Sequence, residues 1–484
     1  MYTTDSLFRH ANYDVNHTVF SQMLSDDQCE EIYVTTLELL ERTGVKVTHK
    51  EARRVLLEKG CGLEKDIVYL PTAMVEEAIR KAPFRVTLCD RLGKKRVLME
   101  TCNSHVGPGL GSEKVLDKDN TIRSGTLADL EKAAVVAEEL KQIDFVTPFV
   151  MPGDAKGKTA RLQAFKALAE NSTKPVVMPV ETLEEAKALY EMAVLAVGDA
   201  GKAARCPYLA FSVRCQESLQ HGHDALSVVM FAAEKGIPLL YTADYVSGLT
   251  APYTSAGTLV VALAADLFAL TLSQCVKGGA PFILGGKFSL HDEANKATPA
   301  GAPEAGLMNF GFANLARYLN LPCACVAGGT DSFTCDAQLG LESTYGIVSA
   351  CLAGANLVLG GGQMGAGEVF SIQAFALSDE IAALVRRVMR NVEVDEDRIG
   401  RGVIGEISPG GNYLGTDHTS LFFKTEQYWP KLQTRKRIDD WLEEGGKPMS
   451  ERAGDYIEEL LTREKANPLS QEQKKGLADV IASY

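Results

Sequence analysis

The sequence has no apolar run long enough to cross a bilayer and no recognisable secretory leader. Its long apolar stretch at 259–272 is interrupted by Asp266 and falls short of the ~20 residues that a transmembrane helix needs. The first 25 residues lack the apolar core of a signal peptide. Basic residues are fewer than acidic ones, with Lys+Arg 50 against Asp+Glu 63 and a net charge of −13. We therefore expect a cytoplasmic protein that binds neither nucleic acid nor a membrane.

Signatures of nucleophilic and zinc-dependent hydrolysis are also missing. The sequence contains neither GxSxG nor HExxH, and its 11 cysteines include no CxxC pair. Most of these cysteines lie in apolar segments, so we interpret them as buried, reduced thiols. The segment HGHD at 221–224 is interpreted as solvated surface histidines. We therefore predict no bound metal ion.

The sequence does contain a regular alternation of short strand-like runs and long helical segments. The strand-like runs begin at 145, 175, 207, 238, 281, 322 and 356, with 30 to 43 residues between starts. One strand, one helix and two loops need about 30 residues, and runs that are apolar throughout are typical of strands buried on both faces. With an eighth strand at 405–408, the pattern predicts an α/β fold, a (β/α)8 TIM barrel. An open doubly wound sheet is the alternative.

The regions that flank these repeats differ from them in character. Residues 1–144 combine amphipathic helical segments with short strand-like runs, which predicts an N-terminal α+β extension. Residues 145–424 hold the repeats and are the predicted catalytic barrel. Residues 425–484 are charged and helical and contain both tryptophans of the chain, which predicts a helical C-terminal segment.

A glycine-rich segment follows the seventh strand-like run. Gly360, Gly362 and Gly365 match the spacing of a dinucleotide fingerprint, which also needs an acid at the end of the next strand. Asp379 and Glu380 have the right separation, but we predict that they open the helix SDEIAALVRRVM as N-terminal acids. GPGLG at 107–111 is predicted to be a turn. We favour glycines that let a ligand approach the backbone, and a barrel enzyme that binds a nucleotide or phosphate is the alternative.

Aromatic and charged residues cluster where predicted strands three to seven end. Active sites of barrels form at this end. Ring faces attract a quaternary ammonium, and a basic group holds a carboxylate on the same ligand. The sequence therefore predicts a pocket for a cation that carries a carboxylate. The ring candidates are Phe211, Tyr245, Phe288, Phe333 and Phe370, and the basic candidates are Arg214, Lys287 and His291.

Several segments resemble the trimethylamine:corrinoid methyltransferase superfamily. The matches are collinear over roughly 250 to 455 and include GAPEAGLMN (301–309), TDSFTCDAQLGLES (330–343), GGNYLGTDHT (410–419) and WPKLQTR (429–435). The resemblance implies a (β/α)8 barrel that transfers a methyl group from an amine to Co(I) of a corrinoid carried by a small partner protein. Founding members of that superfamily carry pyrrolysine. This sequence has only the twenty standard residues, so it resembles the branch that acts on glycine betaine, proline betaine and carnitine.

The resemblance to this branch implies roles for individual residues. A quaternary ammonium leaves as a neutral tertiary amine, so no acid is needed and the protein acts mainly by positioning and desolvation. Asp331 and Glu304 are then the catalytic candidates, as charges that complement the substrate. Gly361, Gly362, Gln363 and Met364 are the candidates to border the corrinoid. We expect a cognate corrinoid protein, a quaternary amine substrate and a homo-oligomer, and a non-catalytic betaine-binding module is a further hypothesis.

Overall fold

A ring of parallel strands forms the centre of the computed structural model, which describes residues 19–155, 157–464 and 467–484. Parallel bridges from Val106 to Ile143 and from Val146 to Val176 insert the segment 143–150 between the two ends of a seven-stranded sheet. This insertion closes the sheet into an eight-membered ring and confirms the predicted barrel. In spatial order, the sheet contains His105–Pro108, Leu357–Gly361, Cys323–Val326, Phe282–Leu290, Leu239–Ser247, Leu209–Cys215 and Val176–Pro179.

Each member of the ring is followed in the chain by a helix that covers the outside of the barrel. Because both faces of every strand are covered, the strands are apolar throughout, as the sequence pattern indicates. The last of these eight strand–helix units ends at Met389. In chain order, the covering helices are Leu127–Glu139, Ala160–Asn171, Leu183–Val197 with the short Ala200–Arg205, His223–Lys235, Ser255–Val276, Pro303–Tyr318, Ala337–Ala353 and Ile372–Met389.

The ring begins earlier in the chain than predicted. Its first strand is His105–Pro108, so the predicted boundary at 144/145 separates this strand from the rest of the ring. The same strand contains Gly107 and Pro108, the first residues of the GPGLG segment, which the sequence predicts to be a turn. The eighth strand predicted at 405–408 is wrong, because the helix Arg401–Glu406 occupies that position. The predicted set therefore has the right number of strands but misplaces one of them.

An α+β layer precedes the ring. Its hairpin, Val86–Cys89 with Arg96–Met99, lies beneath the amino-terminal ends of the barrel strands. There the Cys89 amide donates to the Pro207 carbonyl at 2.7 Å. Hairpin side chains pack with residues inside the barrel and so close its bottom. The other elements of this layer are the helices Asp26–Glu38, Lys50–Glu58 and Thr72–Lys81 and the strands Val45–Val47, Gly62–Glu64 and Ile67–Tyr69.

One pair of cysteines departs from the prediction of reduced thiols. Cys89, at the end of the hairpin, forms a disulfide with Cys206, which precedes the barrel strand Leu209–Cys215. Their Cα atoms are 5.5 Å apart, although 117 residues separate them in the chain. The disulfide attaches the hairpin that closes the bottom to the barrel wall. The nine other cysteines are free thiols, and seven of them are buried.

Two further predictions about polar residues need correction. The histidines of the segment 221–224 were predicted to be exposed, which is right for His223, whose side chain is 64% exposed, and wrong for His221. His221 is buried, stacks on Phe268 with ring centroids 4.5 Å apart, and places Nδ1 2.5 Å from the Tyr241 hydroxyl. Burial lowers the pKa of His221 to about 3, so this side chain is a neutral core residue. Asp379 and Glu380 do not open a helix, because their helix begins at Ile372 and both acids are buried within it.

The long helix Ser255–Val276 is the one described helix with the length and apolarity of a membrane span, and it is mostly buried inside the protein. It carries Asp266, whose Oδ2 accepts the Gly285 amide hydrogen at 2.7 Å. Burial raises the pKa of Asp266 well above its usual value. The carboxyl group therefore holds its proton in the folded protein at pH values where the unfolded chain has lost it.

We expect Asp266→Asn to stabilise the protein increasingly as the pH rises above about 4, the pKa of an exposed aspartate. With a raised pKa in the folded state, the wild type binds more protons folded than unfolded in this window, so its stability falls with rising pH. The asparagine amide stays neutral at every pH, so the variant does not lose stability in this way as the pH rises. Urea unfolding at pH 5 and pH 8 measures the difference, with the exposed Asp27→Asn as the control. An equal effect of Asp266→Asn at both pH values would contradict the raised pKa.

Candidate active site at the barrel mouth

Alternate residues of each barrel strand point to opposite faces, and this alternation decides which side chains reach the mouth. Inward side chains from six strands form a separate apolar cluster inside the barrel. They include Val177, Ala210, Leu240, Ile283, Ala324 and Leu359. Two and four residues further along their strands, the same face carries Ser212 and Arg214, Thr242 and Asp244, and Gly285 and Lys287. The polar residues of the site therefore lie directly above an apolar floor.

Asp244 lies at the centre of a cluster of cationic and polar donors at the mouth. Its Oδ2 is 3.2 Å from Lys287 Nζ, 3.6 Å from an Arg214 guanidinium nitrogen, and 3.3 Å from Gln216 Nε2, which donates to it. The Asp244 side chain is only 10% exposed, whereas those of Arg214 and Lys287 are 50% and 41% exposed. Asp244 thus holds two cations in place while leaving their outer faces open to a ligand.

An open cavity of about 510 Å³ lies beside this cluster. A second lobe of about 370 Å³ shares Leu110, Gly111 and Arg214 with it and is also lined by Ser212. These volumes are typical of sites for small molecules. The larger lobe is lined by Leu110, Gly111, Glu113, Lys114, Arg214, Thr242, Lys287, Ala300, Val326, Gly329, Gln363, Ala366, Gly367 and Glu368.

The predicted aromatic cage is corrected by the structure. None of the predicted rings lines either lobe. Phe211, Tyr245, Phe288 and Phe370 are buried in the core between the strands and the helices. The first three lie on strand positions next to inward residues and therefore point away from the mouth. Phe333 is 56% exposed on the loop after strand Cys323–Val326.

Asp331, one of the two acids predicted to be catalytic, holds two loops together through hydrogen bonds. Asp331 accepts the amide hydrogens of Ala300 and Gly301 at 2.8 and 2.9 Å, and its own amide donates to Glu342. Burial raises the pKa of Asp331, and the nearby Glu342 adds to this shift. Asp331 therefore joins two loops and fixes Ala300 in the cavity wall. Glu304 is exposed in the first turn of the helix Pro303–Tyr318.

The glycine run that begins at the end of the strand Leu357–Gly361 makes a close backbone contact with the loop after the strand Cys323–Val326. Gly360 has φ +112°, and a Cβ there would lie 2.7 Å from the Gly328 nitrogen. Of the residues predicted to border the corrinoid, only Gln363 lines the larger lobe, where its Nε2 donates to the Leu110 carbonyl at 3.2 Å. Met364, like Gly361 and Gly362, is buried. Close packing against another backbone segment thus accounts for Gly360, the first of the glycines that motivated the nucleotide alternative.

His291, predicted to bind a carboxylate, lies just beyond the strand Phe282–Leu290. Its Nε2 is 3.9 Å from a carboxylate oxygen of Glu293, and its amide donates to the Ser247 carbonyl. It is not among the residues that line the two lobes. Of the three basic candidates, Arg214 and Lys287 reach the cavity.

A second charged group lies across the mouth from Asp244. Going round the ring in either direction, the strand Leu239–Ser247 is the fourth from His105–Pro108, so these two strands lie opposite each other. Glu113 and Lys114 follow His105–Pro108, and Lys114 pairs with Glu368 at 3.3 Å. This side carries two carboxylates against one ammonium, whereas the Asp244 side carries two cations against one carboxylate. Sequence reasoning missed Glu113 and Glu368, because no motif marks them.

A family model described as trimethylamine methyltransferase (MTTB) matches residues 4–483. A trimethylamine methyltransferase MttB of Desulfitobacterium hafniense is 29% identical over 466 residues, covering 94% of this chain and 92% of the relative. A glycine betaine methyltransferase of the same species is 30% identical over 424 residues, covering 87% and 88%. The crystal structure of the Methanosarcina barkeri monomethylamine methyltransferase MtmB has the same fold, with a TM-score of 0.52, 12% identity and coverage of 94% and 92%.

Proposed function

We propose, from the premise that the chain belongs to the trimethylamine methyltransferase family, that this methyltransferase acts on a quaternary amine that carries a carboxylate. The methyl acceptor is Co(I) of a corrinoid on a cognate partner protein. Glycine betaine, proline betaine and carnitine belong to this substrate class. The relative named glycine betaine methyltransferase supports the proposal from sequence.

One structural observation favours a betaine over trimethylamine as the substrate. Arg214 and Lys287 are held by Asp244 at the mouth and face the cavity. Trimethylamine has no anionic group for them to bind, whereas a betaine has a carboxylate. Hydrogen bonds between a guanidinium and a carboxylate are among the strong ones in proteins. The Asp244 side of the mouth therefore suits the carboxylate end of the substrate.

The opposite side of the mouth suits the ammonium end. Glu113 and Glu368 give that side an excess of one negative charge, counting Lys114. A zwitterion lying across the cavity would meet a complementary charge at each end. The ammonium would then be held by carboxylates and not by the ring faces that the sequence predicted.

The methyl transfer needs little chemistry from the protein. A corrinoid in its Co(I) state supplies the nucleophile, and the substrate's C–N bond breaks with its electron pair remaining on nitrogen. Because the product amine is neutral, no residue has to protonate it. The protein's own task is to fix the substrate through its two charged ends, so that one methyl group faces the open mouth. Small residues at the rim, such as Ala300, Gly329 and Gly367, leave space for the partner's corrinoid to approach.

A panel of methyl donors tests this proposal. The protein is incubated with cob(I)alamin and, in turn, glycine betaine, carnitine, tetramethylammonium and trimethylamine, and methylcobalamin is followed by its absorbance. We expect the highest kcat/KM for a donor that carries both a carboxylate and a quaternary ammonium. Equal or faster transfer from trimethylamine would contradict the proposal. Binding of betaines without transfer from any donor would favour the non-catalytic binding module.

A further inference from the structure

Thr242 contributes the one hydroxyl among the described residues that line the larger lobe of the cavity. It lies on the inward face of the strand Leu239–Ser247, two residues before Asp244, and is 4% exposed. No described residue forms a hydrogen bond with this hydroxyl. It is also not among the described polar atoms that are sealed from solvent without a partner, as the Ser212 hydroxyl is. The Thr242 hydroxyl is therefore an unpaired donor that opens on the cavity.

The two strands beside Thr242 place a cation next to its hydroxyl and leave the hydroxyl open. In the parallel ladder, Thr242 is paired with Arg214 on one side and with Gly285 on the other. Paired positions carry their side chains on the same face of a sheet, so the Arg214 side chain rises beside the hydroxyl. A Cβ on Gly285 would lie 2.7 Å from Thr242 Oγ1, so glycine keeps the other side clear. The space beneath the Arg214 and Lys287 cations is therefore bordered by this hydroxyl.

The chemistry of a betaine determines which of its groups fits this space. A quaternary nitrogen has four carbon substituents, so it has neither a hydrogen to donate nor a lone pair to accept one. In glycine betaine the carboxylate is the one hydrogen-bonding group, and it accepts several hydrogen bonds. A buried hydroxyl that stays unpaired costs free energy. A ligand that pairs with the hydroxyl is therefore favoured over one that leaves it unpaired.

We propose that Thr242 is a specificity-determining residue that donates its hydroxyl hydrogen to the substrate carboxylate, beside the cations Arg214 and Lys287. This inference rests on the proposed function, because it requires a substrate that carries a carboxylate. Thr242 lies one inward position below Asp244, so the carboxylate is the deeper end of the bound substrate. The ammonium then lies nearer the rim, with its methyl groups towards the open mouth.

Thr242→Val tests the proposal, because it replaces the hydroxyl by a methyl group of similar size. We expect KM for glycine betaine to rise about tenfold or more, the effect of losing a hydrogen bond to a charged group. The contact with the carboxylate is made in the bound substrate and in the transition state alike, so kcat is expected to change little. Transfer from tetramethylammonium, which has no carboxylate, is expected to be unchanged. Thr242→Ser keeps the hydroxyl and is expected to keep KM close to the wild-type value.

Thermal unfolding with and without glycine betaine gives a readout that needs no corrinoid. Removing an unpaired buried hydroxyl costs no hydrogen bond, so we expect Thr242→Val to keep or exceed the wild-type Tm without substrate. Glycine betaine is expected to raise the Tm of this variant less than that of the wild type, because it binds more weakly. The matched control is Thr36→Val, which removes a buried hydroxyl that donates to the Ile32 carbonyl at 2.8 Å, outside the mouth. We expect this control to keep the wild-type KM.

The role of Thr242 and the proposed function fail in different ways. Thr242 loses its role if the wild type transfers methyl groups from glycine betaine while Thr242→Val keeps both the wild-type KM and the wild-type rise in Tm. An equal rise of KM for tetramethylammonium, or an equal defect in Thr242→Ser, would also overturn that role. A wild type that transfers no methyl group from any carboxylate-bearing quaternary amine would instead contradict the proposed function, and this inference with it.

Discussion

Arg214→Gln is expected to lower kcat/KM for a carboxylate-bearing quaternary amine by about 30- to 100-fold. The guanidinium would donate charge-assisted hydrogen bonds to the substrate carboxylate, and the loss of such a contact costs ~2–3 kcal/mol. The Arg214 side chain is half-exposed, and its ion pair with Asp244 is long, at 3.6 Å. We therefore expect the substitution to leave the fold intact. Steady-state methyl transfer to cob(I)alamin with glycine betaine measures the change.

Two controls separate carboxylate binding from a general loss of activity. Tetramethylammonium lacks a carboxylate, so its slow transfer is expected to be nearly unaffected by Arg214→Gln. Lys296→Gln removes a positive charge from an exposed loop near the mouth, where Lys296 pairs with Glu293, and is expected to keep the wild-type rate. Equal loss on both donors would show that Arg214 does not bind the carboxylate.

Arg386→Leu is expected to lower the free energy of unfolding by ~3–5 kcal/mol, the cost of leaving a buried carboxylate without its partner. The Arg386 guanidinium is buried on the helix Ile372–Met389 and pairs with the buried Asp144. It also donates to the carbonyl and the side chain of Gln142 at 3.0 and 2.7 Å. Asp144 in turn accepts the Val106 amide hydrogen at 3.0 Å. The arginine thus joins the last helix of the barrel to its first two strands.

The pH dependence of this loss is a sharper test than its size. Burial alone would raise the pKa of Asp144, but Arg386 and the neighbouring donors outweigh burial and hold it well below its usual value. The stabilisation is therefore present above the pKa of an unfolded aspartate, about 4, and is lost as the pH falls towards the folded value. Without Arg386 the carboxyl can take up a proton, so the deficit of the variant is expected to shrink from pH 8 to pH 4.

Arg387→Leu is the matched control for Arg386→Leu, because it changes the next residue of the same helix. Arg387 pairs with Glu426, which is 45% exposed, at 3.3 Å. Exposed ion pairs contribute little, so we expect a change of less than ~1 kcal/mol. Urea unfolding of both variants at several pH values gives the comparison. Similar losses for the two arginines would contradict the account of the buried pair.

The architecture could be predicted from the sequence because it is repeated. A unit of one strand and one helix needs about 30 residues, and it recurs often enough here to identify a barrel even when single elements are uncertain. The strand that was missed, His105–Pro108, has only four residues, and two of them are Gly107 and Pro108. Glycine and proline are typical of turns, so local composition indicated a turn where pairing with Leu357–Gly361 forms a strand.

The wall of the cavity was predicted less well, for a reason that lies in the strands themselves. When both faces of a strand are covered, inward and outward positions are equally apolar. The alternation of inward and outward side chains therefore cannot be recognised from the sequence. Phe288 and its neighbour Lys287 show the consequence, because the ring enters the core while the ammonium reaches the mouth. Only the charged residues in such strands mark the inward face, and Arg214, Asp244 and Lys287 share it.

Contacts between distant segments were beyond sequence reasoning. The disulfide of Cys89 and Cys206 and the pair of Asp144 and Arg386 each join residues more than 100 positions apart. Nothing in the local pattern connects the members of either pair. Glu113 was missed in the same way, since only the closed ring places it across the mouth from Asp244.

The central claim is that a betaine gives one methyl group to Co(I) at the mouth of this barrel. The most direct measurement incubates the protein with cob(I)alamin and glycine betaine bearing deuterated methyl groups, and follows both products by mass spectrometry. The account predicts that labelled methylcobalamin and dimethylglycine appear in equal amounts, at a rate proportional to the enzyme concentration. Formation of neither product from any carboxylate-bearing quaternary amine, under conditions where the protein is folded and the cobalt stays reduced, would contradict it.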